Sequence, residues 1–280
     1  MTHAQAKPNL VLLHGWGLGN CAWDAALPAL AERFQVHRLA CPGYGVNKRS
    51  TEVNGQEAHE QTALEPILCR TPFGAVCRDS FLETAKALVQ TLPADAIVCG
   101  WSLGGMLALQ MTALAPQRIK RLVLVGSTPS FTQRVDWPHA QPPALLDTFH
   151  DSVDKDAAST LQRFVALLNQ GDAQARSIGR TLNKSLQSTA LPDTATLLAG
   201  LGWLRDVDLR EQIAAIAMPM LLIHGENDPL MPLAAAHWLH ENLPDARLEV
   251  ITGAAHAPFL NNPERFATLI GEYCNAPALD

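Results

Sequence analysis

The chain has 280 residues, 48% of them apolar and 17% charged, and carries a formal net charge of −6. That length is enough for a large core in one or two domains, and the acidic balance argues against a nucleic-acid binder, which carries a basic excess. No apolar run approaches the ~18 residues of a membrane span, and the polar start "MTHAQAKPN" lacks a signal-peptide apolar region, so a cytoplasmic protein without membrane association is expected.

"NLVLLH" at 9–14 is a short continuous apolar run and reads as a buried strand. It leads into the glycine-rich "GWGLG". A helix is expected over 22–33, then a strand at "FQVHRLA" (34–40), closed by the turn "CPGYG". Residues 46–78 are long for a strand-to-helix connection and hold Gly55, Pro66, Pro72 and Gly74. Next come a helix over 79–92, a strand at "AIVCG" (96–100), a helix over 105–115 and a strand at "RLVLVGS" (121–127). Residues 128–210 show helical patterns and no convincing strand. The strands "MPMLLIHG" (218–225) and "ARLEVITGA" (246–254), with helices over 233–242 and 263–274, complete the chain.

Strands alternating with helices imply an α/β fold, a mostly parallel sheet covered on both faces. The sheet core is expected to comprise 1–127 and 211–280, with 128–210 inserted as a helical lid over a site. The six cysteines show no CxxC spacing, so reduced thiols are expected, including at Cys69 and Cys77, the pair nearest in sequence.

In "AIVCGWSLGGMLALQ", Ser102 stands between Gly100 and Gly104, with an apolar strand before it and a helical run after it. This is the context of the G-x-S-x-G elbow, where a strand turns at once into a helix and the serine takes a strained backbone conformation. Small flanking residues let strand and helix approach. The hydroxyl then stands at the carboxyl edge of the sheet, above a helix N-terminus whose free N–H groups suit a developing oxyanion.

A serine needs a base, and the base an orienting acid, in the chain order Ser, Asp or Glu, His. Among the later histidines, His139 and His150 fall in the expected lid, His237 and His240 on a helix, and His224 at a strand end. His256, in "TGAAHAPF" past the final strand, has the position of a base over the elbow. "HGENDPLMP" offers Asp228 as the acid, with Glu226 as the alternative in the same loop. The oxyanion donors expected are the backbone N–H groups of Leu103, after the nucleophile, and Trp16, in "HGWGLG". In "QARSIGRTLNKSL", Arg176, Arg180 and Lys184 recur every four residues and make a basic stripe on a helix; Arg163 adds a further cation. Such a stripe is either a solvated face or a surface that steers an acidic partner. Leu161, Phe164, Val165 and Leu168 have helical spacing that suits either core or a channel for an acyl chain.

These residues resemble the α/β-hydrolase superfamily and, more closely, the pimeloyl-[acyl-carrier protein] methyl ester esterases of biotin synthesis. The stretches that carry the resemblance are "LVLLHGWGL", "GWSLGG", "STPSFTQRVDWP", "VDLR" and "GAAHAPF", spread over most of the chain. The resemblance implies Ser102 as nucleophile, Asp228 as acid, His256 as base, and Trp16 and Leu103 as backbone donors; such a triad needs no metal or cofactor, and a monomer is expected. It also implies acyl carrier protein as partner, with Arg163, Arg176 and Arg180 at positions similar to those of lid arginines that contact the carrier. The reaction implied is hydrolysis of the methyl ester that masks the far carboxylate of a carrier-bound pimeloyl chain. The chain departs from the family in its long 46–78 segment, in Val46 and Asn47 after "PGYG", and in Ser159 where another arginine is expected. A general carboxylesterase for short-chain esters, a carbon–carbon bond hydrolase and a non-catalytic hydrolase-fold receptor are the competing readings.

Overall fold

The computed structural model describes residues 6–44 and 80–276. The 46–78 segment, with Val46, Asn47, Cys69 and Cys77, lies within residues 45–79 and so outside the described residues. Six strands, β1 (Asn9–Leu13), β2 (Gln35–Leu39), β3 (Ala96–Trp101), β4 (Ile119–Val125), β5 (Met220–Gly225) and β6 (Ala246–Ile251), form one sheet in the order β2-β1-β3-β4-β5-β6. Every neighbouring pair is parallel. β3 and β5 are buried along their whole length, which is why both read as unbroken apolar runs. The edge strands β2 and β6 are only partly buried, and their sequences mix polar with apolar residues accordingly.

Helices α1 (Leu27–Arg33) and α3 (Leu103–Leu114) pack against the first half of the sheet, and α2 (Phe81–Gln90) packs on α3. The helix expected over 22–33 is two pieces, a 3₁₀ turn at Gly19–Trp23 and then α1. Pro28 is the reason: in the first turn of α1 its missing N–H costs nothing, but it cannot continue a helix arriving from upstream. Helix α3 begins two residues earlier than the pattern over 105–115 suggests, because it starts at the elbow itself.

That close start depends on glycine. A Cβ on Gly104 would lie 2.5 Å from the carbonyl oxygens of both Leu13 and His14, backbone atoms at and just past the end of β1. Gly104→Ala is therefore expected to destabilise the protein by about 1–3 kcal/mol or more, as overpacking does. A lowered urea midpoint at unchanged slope is the readout.

Between β4 and β5 the chain carries α4 (Pro143–Lys155), α5 (Ala157–Leu168), α6 (Ala175–Ser188), α7 (Thr194–Asp206) and α8 (Arg210–Ile213). Among the described residues of this segment, β structure is limited to isolated bridges such as Ser130 with Asp208. The two ends of the segment are tied together by the "FTQRVDWP" and "VDLR" stretches. Arg210 reaches Asp208 at 2.7 Å and Asp136 at 3.0 Å and lies over the Trp137 ring, while Arg134 lies 3.3 Å from Asp208. Past β5, α9 (Leu233–Asn242), α10 (Pro258–Asn261) and α11 (Pro263–Asn275) complete the layers. Cys21, Cys41, Cys99 and Cys274 are free thiols.

Candidate active site

Ser102 links β3 to α3 with φ 57° and ψ −123°, a left-handed φ that a β-carbon makes costly. Surrounding bonds hold it there. Its N–H donates to Val125 O at 2.9 Å, and its carbonyl accepts from Gly105 N–H at 2.9 Å and from the Ser127 hydroxyl at 2.9 Å. Asp228 follows β5 and His256 follows β6, so all three candidate residues stand past the carboxyl ends of strands of one parallel sheet, with β4 between the serine's strand and the other two.

The side chains of Asp228 and His256 are fully buried, with Nδ1 of the imidazole 2.8 Å from Oδ2 of the carboxylate. A carboxylate only accepts, so Nδ1 carries a proton, and Nε2 is the ring atom left to exchange one. That Nε2 is buried and has no hydrogen-bond partner among the described residues. The main chain of His256 is tied to the elbow as well: the indole of Trp101, the residue before Ser102, donates to His256 O at 2.8 Å.

Asp228 is held from its other side too. Its Oδ1 accepts from the N–H groups of Leu230 (2.9 Å) and Met231 (2.8 Å). Burial works against ionisation, but the hydrogen bonds from the His256 imidazole and the Met231 N–H hold the carboxyl below its usual range. His224 donates through Nε2 to Met231 O at 2.7 Å, and burial holds its pKa below the ordinary value. It is thus a neutral brace for the acid loop. Glu226 turns away, its Oε2 accepting from Gly253 N–H at 2.9 Å, so the structure pairs Asp228 and not Glu226 with the imidazole.

Leu103 opens α3, so its N–H is among those a helix leaves without an intrahelical partner. Trp16 is fixed by its side chain: the indole N–H donates to Leu197 O at 2.8 Å, and the ring meets Phe149 and Phe164 edge-on. The loop that carries Trp16 is braced from β2's turn. Nδ1 of His14 donates to Gly15 O at 2.8 Å, while its Nε2 accepts the N–H of Cys41 at 3.0 Å. Burial pushes the His14 pKa down to about 4, so the ring serves as a fixed neutral bridge at neutral pH. Tyr44 packs against His14 with the rings tilted and accepts the Gly17 N–H at 2.9 Å. Neither brace was read from the sequence, where "HG" and "PGYG" look like ordinary turns. Burial pushes the nearby Cys41 thiol up to about 12, which leaves it inert.

Ser102 opens on an apolar cavity walled by Trp16, Phe131, Phe149, Phe164, Leu201 and Leu230. Most of these walls come from α4, α5, α7 and the Asp228 loop.

The α/β-hydrolase fold family matches residues 8–263. The chain is 40% identical to the pimeloyl-[acyl-carrier protein] methyl ester esterase of Aromatoleum aromaticum over 94% of its own length and 97% of that protein's. It is 36% identical to the protein of the same name from Nitrosomonas europaea, with 93% of each chain covered. The chain belongs to this esterase family of α/β-hydrolases. A solved esterase from Exiguobacterium antarcticum, 23% identical, shares the fold with a TM-score of 0.77 over 97% of this chain and 93% of that one.

In this family member, Arg163, Arg176, Arg180 and Lys184 are exposed, and among the described residues none forms a salt bridge. The last three lie on α6, which buries Ile178, Leu182 and Leu186 on its opposite side. Of the α5 apolar set, Phe164 lines the cavity beside Ser102, and Leu161 packs against Gly17. Val165 and Leu168 are core. Ser159 caps with Asp156 at the start of α5. Among the described residues no cluster of three His, Cys, Asp or Glu side chains could hold a metal, and no helix is long and apolar enough to cross a membrane.

Proposed function

We propose that the protein is a serine carboxylesterase that hydrolyses the methyl ester of pimeloyl-acyl carrier protein, freeing the terminal carboxylate for biotin synthesis. The observation that carries the chemistry is the strained Ser102 elbow, tied through the Trp101 indole to the main chain of a buried imidazole whose Nδ1 is held by Asp228 and whose Nε2 is unpaired among the described residues. The substrate follows from the similarity to the named esterases over nearly the whole chain.

In this reading His256 takes the Ser102 proton as the hydroxyl oxygen attacks the ester carbonyl. The N–H groups of Trp16 and Leu103 hold the tetrahedral oxyanion. His256 then protonates the departing methanol, and water activated by the same ring releases the acid and restores Ser102. Asp228 keeps the proton on Nδ1 and stabilises the imidazolium. Residues 128–210 act as a lid whose apolar walls take the acyl chain. The exposed cations Arg163, Arg176, Arg180 and Lys184 dock the acidic carrier. Action as a cytoplasmic monomer, without metal or cofactor, completes the proposal.

The test compares the carrier-bound methyl ester with a small aryl ester. The double variant Arg176→Glu/Arg180→Glu should lose about tenfold or more in kcat/KM on the carrier substrate, because reversed charges slow encounter. Aryl ester turnover should stay within about twofold, since both side chains lie outside the cavity. Equal losses on the two substrates, or none on either, would point instead to a general short-chain carboxylesterase.

A further inference from the structure

The loop that carries His256 is gripped by a corner of the inserted segment, residues 168–174 between α5 and α6. His256 N–H donates to Leu168 O at 3.2 Å, and Ala173 N–H donates to Gly253 O at 2.8 Å. Between these backbone ties stands Asp172, 8% exposed. Its Oδ2 accepts the N–H of Ala255, the residue just before His256, at 2.9 Å. Its Oδ1 accepts from the Asn261 side-chain amide at 2.9 Å and from Gln174 N–H at 2.6 Å. Asn261 is the last residue of α10, the short helix that leaves the His256 loop. One carboxyl group therefore spans from the residue before the imidazole to the end of the helix after it. Among the described residues Asp172 has no salt-bridge partner, so three N–H donors account for its placement.

We infer that Asp172 is a positioning residue for His256, an inference that rests on His256 being the base. The bond to Asp228 fixes the ring at one atom only. Where Nε2 points also depends on the path of the main chain at 255–256, and that path is set by Asp172, by Leu168 O and by the Trp101 indole. Removing the acceptor leaves a buried Ala255 N–H unsatisfied, and the loop must move to find it another partner. A shift of about 1 Å in a reacting group costs on the order of 10²-fold in rate. The cavity walls do not depend on Asp172, so substrate binding should persist.

Asp172→Asn is the discriminating variant. An amide has a single acceptor oxygen, so either rotamer sets its NH₂ against an N–H that the carboxylate satisfied. The measurement is steady-state hydrolysis of an aryl ester by purified full-length protein, normalised to folded molecules. The expected result is a kcat lower by about tenfold to a hundredfold, with KM within about twofold of wild type. A smaller loss of kcat, or a loss expressed in KM instead, overturns the inference. Asp172→Ser is the second variant, with the same split expected; failure of both to fold would make the residue structural and overturn positioning equally. Fluorophosphonate labelling separates the two levels. Wild-type protein that is not labelled at Ser102 brings down the proposed function itself. Labelled wild-type protein with a fully active Asp172→Asn brings down positioning alone.

Discussion

Replacing Ser102 by alanine is expected to lower ester turnover by about 10⁴–10⁶ while leaving thermal unfolding almost unchanged. The two halves of that expectation come from different atoms. The backbone of residue 102 is held by bonds from its N–H to Val125 O and to its carbonyl from Gly105 N–H and Ser127 Oγ, none of which involves the hydroxyl. Alanine carries the same Cβ, so the left-handed φ is no worse tolerated. What disappears is the oxygen that opens on the apolar cavity, and no neighbouring group can take its place: the Cys41 thiol is pushed up to about 12 by burial. Turnover measured with an aryl ester, beside a melting curve, checks both halves. A variant that keeps more than about a hundredth of wild-type activity would remove Ser102 from the chemistry.

The inner strands were legible because parallel strands covered on both faces are apolar throughout, and all six expected strands, the mixed edge strands β2 and β6 included, lie within two or three residues of where the sequence places them. The elbow was legible for a related reason, since its glycines answer a local steric demand. Gly100 and Gly104 stand where an added Cβ would meet backbone at 2.4 Å and 2.5 Å. Asp228 and His256 could be picked because each lies in the first loop beyond a strand. What the sequence hid is the bracing between distant segments. His14 reaches Cys41, Tyr44 reaches Gly17, and Asp172 reaches Ala255, and such bonds have no period and no local signature. Asp172 in particular sits in "NQGDAQ", which reads as a polar turn between helices. Only the packing of the insertion's corner against the β6 loop gives its carboxyl three donors. The break at Pro28 is the opposite case: the signal was present in the chain, and the apolar pattern across 22–33 masked it.

Asp228→Asn is expected to reduce kcat by about 10³–10⁴, nearly as severe a change as loss of the serine, although the side chain keeps its size and burial. The reason lies in which way the amide must turn. Oδ1 of Asp228 accepts two backbone N–H groups, from Leu230 and Met231, whereas Oδ2 accepts one imidazole N–H. An asparagine has one acceptor, and two donors outweigh one, so its oxygen faces the backbone and its NH₂ faces His256. Nδ1 must then accept, which moves the ring proton to Nε2, the atom needed with a free lone pair to take the serine proton. His224 cannot substitute for the lost charge, because its Nε2–H is committed to Met231 O and burial favours its neutral form. The matching change Glu226→Gln should leave kcat within about twofold, since Glu226 bonds Gly253 N–H at the surface and does not reach the ring. Aryl ester kinetics on the two variants, with far-ultraviolet circular dichroism to confirm the fold, separate the acids. Comparable losses in both would mean that the imidazole is not governed by Asp228 alone, and a turnover in Asp228→Asn within tenfold of wild type would show that the buried pair does not orient the base.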